Sequence, residues 1–333
     1  MADQTRRVGI IDVARAAEVS LSTVSRVMNG NATVDPDLAA RVRATAAELG
    51  YIASPLARSL VLGRTQTIAV VVPDLANPTF QAILRGISRA AVRDGYHVLI
   101  ADSAEQVGEE RLLAEETRRR TDGVILCAPR LPQPELALLL PSLSPVVVVN
   151  RAAQDAAPVV AADYRAALRE LVEHLVSLGH RHLVYLAGVA GSASNAARLA
   201  ALADARDAHP ELEIVELPSG VDFDSGAAAA DAVLATGATG VLAFNDLVAM
   251  GLLSSLSDRG VRVPEQLSVA GFDDIPFARY TTPPLTTAAV PATELGERAW
   301  AALHAQLTGG APQAFTTFTP RVVLRASTGL ASH

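Results

Sequence analysis

The 333-residue sequence contains no lysine, so all 28 of its basic residues are arginine. That absence excludes a Walker-type nucleotide site, whose lysine reaches the phosphates. There is a single cysteine, Cys127, at the end of an apolar run. No disulfide can form within the chain, Cys127 reads as a small buried hydrophobe, and a reducing cytoplasmic compartment is expected. Half of the residues are apolar, yet no run approaches the roughly 18 to 20 residues of a membrane span, so no membrane partner is expected. The opening MADQTRRVGI carries charges without the apolar stretch of a secretory signal. An alanine- and arginine-rich composition of this kind reflects codon usage more than function.

Charge is spread unevenly. Residues 1–64 hold eight arginines against six carboxylates, a net of +2, which leaves −9 for the rest of a chain whose formal charge is −7. A mildly basic head on an acidic body puts any nucleic-acid contact in the head. Within that head, residues 11–29 read IDVARAAEVSLSTVSRVMN. Asp12, Val13, Ala14 and Ala17 have helical spacing, Glu18-Val19-Ser20 interrupts it, and Ser20 can cap a second helix over Leu21–Met28. Val24, Val27 and Met28 then face inward. Ser22, Thr23, Ser25 and Arg26 point outward, the composition of a helix that lies in a DNA major groove, where arginine pairs with guanine and hydroxyls approach phosphates. Two short packed helices also occur in proteins that bind no DNA, so the chain that follows has to decide.

After a turn at Asn29-Gly30-Asn31, Asp35-Pro36-Asp37 starts a third helix with an N-cap, a proline at the first position and a carboxylate near the positive helix end; Gly50 ends it. Residues 54–60, SPLARSL, form a separate short helix capped by Ser54. It is too short to be stable alone and should form only when something packs against it. From Thr67 the pattern changes to buried strands alternating with helices: IAVVVPD, HVLIADS, GVILCAP and PVVVVN, then a second series from near Val159 with VVAAD, HLVYLAG, IVEL, GVLAFND and SVAGFDD. Such alternation means parallel, doubly wound sheets, and two series mean two lobes. Polar residues at the strand carboxyl ends mark where this architecture binds ligands.

The segments DVARAAEVSLSTVSRVMNG, ELGYIASPLARSL, GRTQTIAVVVPDLANPTF, HLVSLGHRHL, FNDLVAMG, VPEQLSVAGFDDIPFARYTTPPLTT and VLRASTG together resemble the LacI/GalR family of bacterial transcription regulators over essentially the whole chain. The resemblance implies an all-α helix-turn-helix headpiece at 1–52, a hinge helix and linker at 53–64, and an α/β core at 65–333 similar to periplasmic sugar-binding proteins. The core would comprise an N-lobe of approximately 65–162 and 289–320 and a C-lobe of approximately 163–288 and 321–333. It also implies a homodimer on a palindromic double-stranded operator bent at its centre, with affinity switched by a small effector. Carried over by position, Leu21, Ser22 and Arg26 read bases, Thr23 and Ser25 contact phosphates, and Asn29 lies on the DNA side. Leu60 wedges between base pairs with Ala57 beside it in the minor groove, a contact that kinks the duplex. For the effector, the family positions are Phe80, Arg198, Asn245, Asp246 and Asp273, with Asp102, Arg151 and Phe223 as further candidates. Carboxylates, an amide, a forked guanidinium and an aromatic face suit a sugar or nucleoside-like molecule.

The sequence departs from the family pattern at several points. Glu18 stands at a turn position that is usually glycine, Ala53-Ser54 where Pro-Asn is frequent, Thr79 where an aromatic commonly precedes Phe80, and Ala201 where glycine often follows Arg198. VDFDSG is short, so either Val221 or Phe223 could face the ligand. His180 and His182 lack a third metal ligand, and GVAG at 188–191 lacks the full dinucleotide fingerprint, so neither a metal nor a cofactor is expected. Arg118-Arg119-Arg120 reads as a solvated helix end, and Asp246 and Asp273 could cap helices as well as bind. The leading expectation is a repressor without catalytic residues, controlled by a sugar or sugar derivative. A nucleobase or protein corepressor is the alternative controller, and a pure solute-binding protein is the alternative of a different class. With no leucine-heptad extension, a dimer is the default.

Overall fold

The computed structural model describes residues 8–28, 33–51 and 63–332 and separates into two compact units, Met1–Gln66 and Thr67–His333. In the first unit, α1 (Ile10–Ala16), α2 (Leu21–Met28) and α3 (Pro36–Glu48) share a small core of Val13, Ala14, Ala17, Val24, Val27, Ala39, Val42 and Ala46. Ser20 Oγ accepts from Thr23 N at 3.1 Å and so caps α2. Asp35 Oδ1 accepts from Asp37 N and Leu38 N, both at 3.0 Å, with Pro36 opening α3. The backbone of Glu18 turns left-handed, with φ of 53°, which brings Val19 N to Ala14 O at 3.0 Å and closes α1. Asn29, Ala57, Leu60 and the expected hinge helix lie outside the described residues.

The second unit holds two parallel sheets. The first contains β1 (Thr67–Val72), β2 (His97–Asp102), β3 (Gly123–Cys127), β4 (Val146–Val149), β5 (Val159–Ala162) and β11 (Phe315–Phe318), in the order β11-β5-β4-β3-β1-β2. The second contains β6 (His182–Ala187), β7 (Glu213–Pro218), β8 (Gly240–Ala243) and β9 (Ser268–Ala270), in the order β7-β6-β8-β9. Strand β5 therefore belongs to the first sheet and does not open the second series: Val148 and Val149 pair with Val159 and Val160. β1, β3, β4 and β5 are buried almost throughout, as strands covered on both faces must be, and the Cys127 thiol is pushed up to about 12 by that burial.

The connecting helices are α4 (Pro78–Arg93), α5 (Val107–Arg118), α6 (Gln133–Leu143), α7 (Tyr164–Ser177), α8 (Ala193–Ala208), α9 (Phe223–Ala228), α10 (Ala230–Thr236), α11 (Asp246–Asp258) and α12 (Ala292–Leu307). The chain crosses between the sheets after β5, between β10 (Thr287–Ala289) and α12, and between β11 and β12 (Arg321–Val323). β10 and β12 pair antiparallel, which ties two of these crossings together. The last strands then place Ser327 against Val269, its Oγ donating to Val269 O at 2.6 Å. His180 is part of this closure: its ring nitrogens meet Thr239 Oγ1 at 2.8 Å and Gly329 O at 3.1 Å. No described helix is long and apolar enough to cross a membrane.

Candidate functional site

On the first unit, α2 presents Leu21, Ser22 and Arg26 to solvent while Val24 and Val27 hold it to the core. Leu21 is 48% exposed, a large apolar side chain without a core to serve. Thr23 Oγ1 and Ser22 Oγ both lie 2.8 Å from Ser20 Oγ, so the start of α2 is a cluster of hydroxyls. Small hydroxyls, an exposed leucine and one guanidinium on a single short face can meet phosphates, a thymine methyl and a guanine edge.

In the second unit, loops at the carboxyl ends of both sheets enclose a cavity. The first sheet supplies Asn77, Thr79 and Phe80 after β1, Glu105 after β2, Arg130 after β3, Asn150 after β4 and Tyr164 after β5. The second supplies Ser194 and Arg198 after β6, Val221 after β7, Phe244 after β8 and Asp273 after β9. The cavity has about 440 Å³ of space between atoms. Backbone strain concentrates on this rim: Ala104, Glu105, Ala128, Asn150, Asp273 and Asp274 all have positive φ, a conformation that costs L-residues about 1–2 kcal/mol each and that clusters where ligands are held.

Arg198 is the central side chain. It is 1% exposed, and its Cζ lies 4.0 Å from the ring centre of Phe272, 4.6 Å from Tyr164 and 4.7 Å from Phe244. Three aromatic faces offset part of the cost of burying the cation, but rings accept nothing from the guanidinium edge, and Nε and Nη1 have no hydrogen-bond partner among the described residues. Asp273 is held by Thr79, whose Oγ1 donates to its Oδ2 at 2.8 Å. Burial raises the Asp273 carboxyl to about 6, against the pull of Arg198 and the Thr79 bond. The second guanidinium, Arg130, is already paired: Nε and Nη2 donate to Glu105 at 2.7 Å each. Glu110 fixes this loop by accepting from Arg130 N at 2.8 Å and Leu131 N at 3.0 Å.

Of the eight effector positions expected from the sequence, the structure brings Phe80, Arg198 and Asp273 together on the cavity and places the other five off it. Asp102 closes its own loop, accepting from Ala104 N and Leu75 N. Arg151 spends its guanidinium on Pro129 O and Gln133 Oε1 and lines a separate outer cleft. Asn245 caps α11 through Val248 N and donates to Val221 O at 2.8 Å, so it supports a lining residue without lining. Asp246 is fully buried, with Oδ1 accepting from Thr287 Oγ1 at 2.6 Å and Oδ2 from Ile275 N at 2.8 Å. Burial and neighbouring Asp273 raise its carboxyl well above the usual range. Val221 faces the cavity, whereas Phe223 is 45% exposed and its backbone carbonyl packs on Gly251.

This arrangement can be set against known proteins. The HTH-type transcriptional repressor CytR of Escherichia coli K12 is 33% identical over 307 residues, covering 90% of this chain and 89% of CytR. The chain belongs to the lacI family of bacterial regulatory proteins. The family's own sequence model matches residues 9–54, and a periplasmic binding protein-like domain matches 172–328. Among solved structures of the lacI family, the Lac repressor dimer bound to operator and the anti-inducer ONPF covers 97% of this chain and is itself covered completely, with a TM-score of 0.88 at 27% identity. A regulator from Enterococcus faecium with bound ribose covers 80% of this chain and is also covered completely, with a TM-score of 0.69 at 29% identity.

Within this lacI-family frame, Glu105, Arg130, Tyr164, Ser194 and Phe244 line the cavity without having been expected there. Their only signal in the sequence is a place one to seven residues beyond the end of a strand. Position after a strand does not by itself sort them: Asp102 and Asn245 serve a loop and a helix cap, whereas Asn150 and Asp273 reach the cavity.

Proposed function

We propose that this protein is a sequence-specific DNA-binding repressor whose operator affinity is switched by a small effector held between the two sheets of the core. The observation that carries the reading is a cavity lined from every strand end of both sheets except β11's, with a buried arginine on it that has no hydrogen-bond partner for Nε and Nη1 among the described residues, in a chain that also has an exposed helix-turn-helix face. Leu21, Ser22, Thr23, Ser25 and Arg26 contact the operator, with Asn29, Ala57 and Leu60 as further contacts. Residues 53–64 join headpiece to core, and the working species is a cytoplasmic homodimer, bound at the nucleoid when on DNA. Phe80, Arg198 and Asp273 hold the effector, a sugar derivative. An effector held between the two lobes selects one lobe orientation. Operator and effector affinities are then linked reciprocally.

The test is retention on duplex DNA. The full chain should be held and released by salt, and removal of residues 1–64 should abolish retention while the core stays folded. Arg26→Ala should weaken specific binding by about 1–3 kcal/mol and relax one base preference. Unchanged discrimination across operator variants would remove Arg26 from the readout.

A further inference from the structure

The first turn of α2 exposes a single apolar side chain. Of residues 20–23, Leu21 is apolar and 48% exposed, whereas Ser20, Ser22 and Thr23 carry hydroxyls that bond to one another. Ser20 Oγ also accepts from Thr23 N at 3.1 Å. The hydroxyls thus fix the turn, and Leu21 is the largest group that this end of the helix presents. One exposed leucine is ordinary on a protein surface. This one is distinguished by its place: it is the first residue of α2, and residues at the start of a recognition helix meet base edges in the major groove. It also lies outside the core that holds the three helices together. Ser22 and Arg26, four apart, share one row of the outward surface, and Leu21 and Ser25 share the next.

We infer that Leu21 reads a thymine of the operator by its C5-methyl group. A leucine side chain neither donates nor accepts a hydrogen bond, so the donor and acceptor pattern of a base edge is invisible to it. Among the four bases, the thymine methyl is the apolar group displayed in the major groove, and seating it against Leu21 takes apolar surface of both out of water. The feature recognised is then the methyl itself, so 5-methylcytosine in the same place is read as thymine is. This inference rests on the DNA-binding reading above and narrows it to one chemical group.

The experiment uses the full chain and the duplexes that it enriches from a random-sequence pool. In an enriched duplex, each thymine of a half-site is replaced in turn by deoxyuridine, which lacks only the methyl. At one position the loss should weaken binding about three- to fivefold, the scale of one buried methyl group. Cytosine and 5-methylcytosine placed there should differ by the same factor, with the methylated base bound more tightly. Leu21→Ala should remove both differences and leave the melting temperature of the protein unchanged, since Leu21 lies outside the core. Wild-type protein that is indifferent to every methyl, or a methyl preference that survives in Leu21→Ala, would overturn the inference alone. A pool that yields no enriched sequence would overturn sequence-specific binding itself, and this inference with it.

Discussion

Gly188 shows how one missing side chain shapes this cavity. It follows β6, and a Cβ there would lie 2.5–2.7 Å from the ring of Phe244, one of the three rings that cover Arg198. Gly188→Ala must push that ring from the guanidinium, with an expected cost of about 1–3 kcal/mol as in other overpacked sites. Gly108, on α5, has nothing within 4 Å of its would-be Cβ, and Gly108→Ala should stabilise by about 0.5 kcal/mol through helix propensity. Denaturant titration of the two variants checks the contrast. Arg198 itself was readable from its position in the family pattern. Its aromatic enclosure was not, because Tyr164, Phe244 and Phe272 lie far apart in sequence and are brought together only by two different sheets.

At the scale of elements, most helices and strands follow from local pattern and capping residues. Ser20, Asp35 and Gly50 act at the helix ends where their chemistry predicts, and Gly50 takes φ of 65°. The turn between α1 and α2 is the exception. Glu18 adopts the left-handed conformation that the turn demands despite carrying a side chain, so the geometry is kept and the strain is tolerated. Glu18→Gly should therefore stabilise the helical unit by about 1 kcal/mol, seen as a higher melting temperature of the headpiece. A lower one would mean that the Glu18 side chain contributes more than its backbone costs. The strand pattern alone counts β5 with the second series, although the lobe bounds implied by the family resemblance put it with the first. An apolar run of four residues is compatible with either sheet, and its place depends on pairing with β4 and β11.

For the whole molecule, the bond from Thr79 to Asp273 joins α4 of the first sheet's layer to the loop after β9 of the second. Asp273 faces Thr79, the Arg198 cation and the buried carboxyl of Asp246. Its folded-state carboxyl, raised from 3.8 to about 6, keeps its proton over a range where the unfolded chain has lost it. The Asp273 contribution to the unfolding free energy of the core should then fall as pH rises from about 4 to about 6 and level off above, since at this group the unfolded state binds fewer protons across that window. Asp273→Asn should flatten this component, as measured by urea unfolding at a series of pH values. A slope unchanged in the variant would assign the titration elsewhere, with Asp246 the next group to replace.

By itself the sequence determined the class of this protein: a basic helix-turn-helix head, a family pattern along the chain, and alternating strands and helices that must form parallel sheets, because local capping and periodicity are written in neighbouring residues. Only the tertiary structure decided which side chains share the cavity. Asp246 and Asn245 stand in the matching motif, yet their polar atoms are consumed by Thr287, Ile275, Val221 and Val248. Thr79 and Asp273, 194 positions apart, meet across it. Whether a polar group is spent on the protein or left for a ligand depends on partners that are distant in sequence, and folding alone brings those partners within reach.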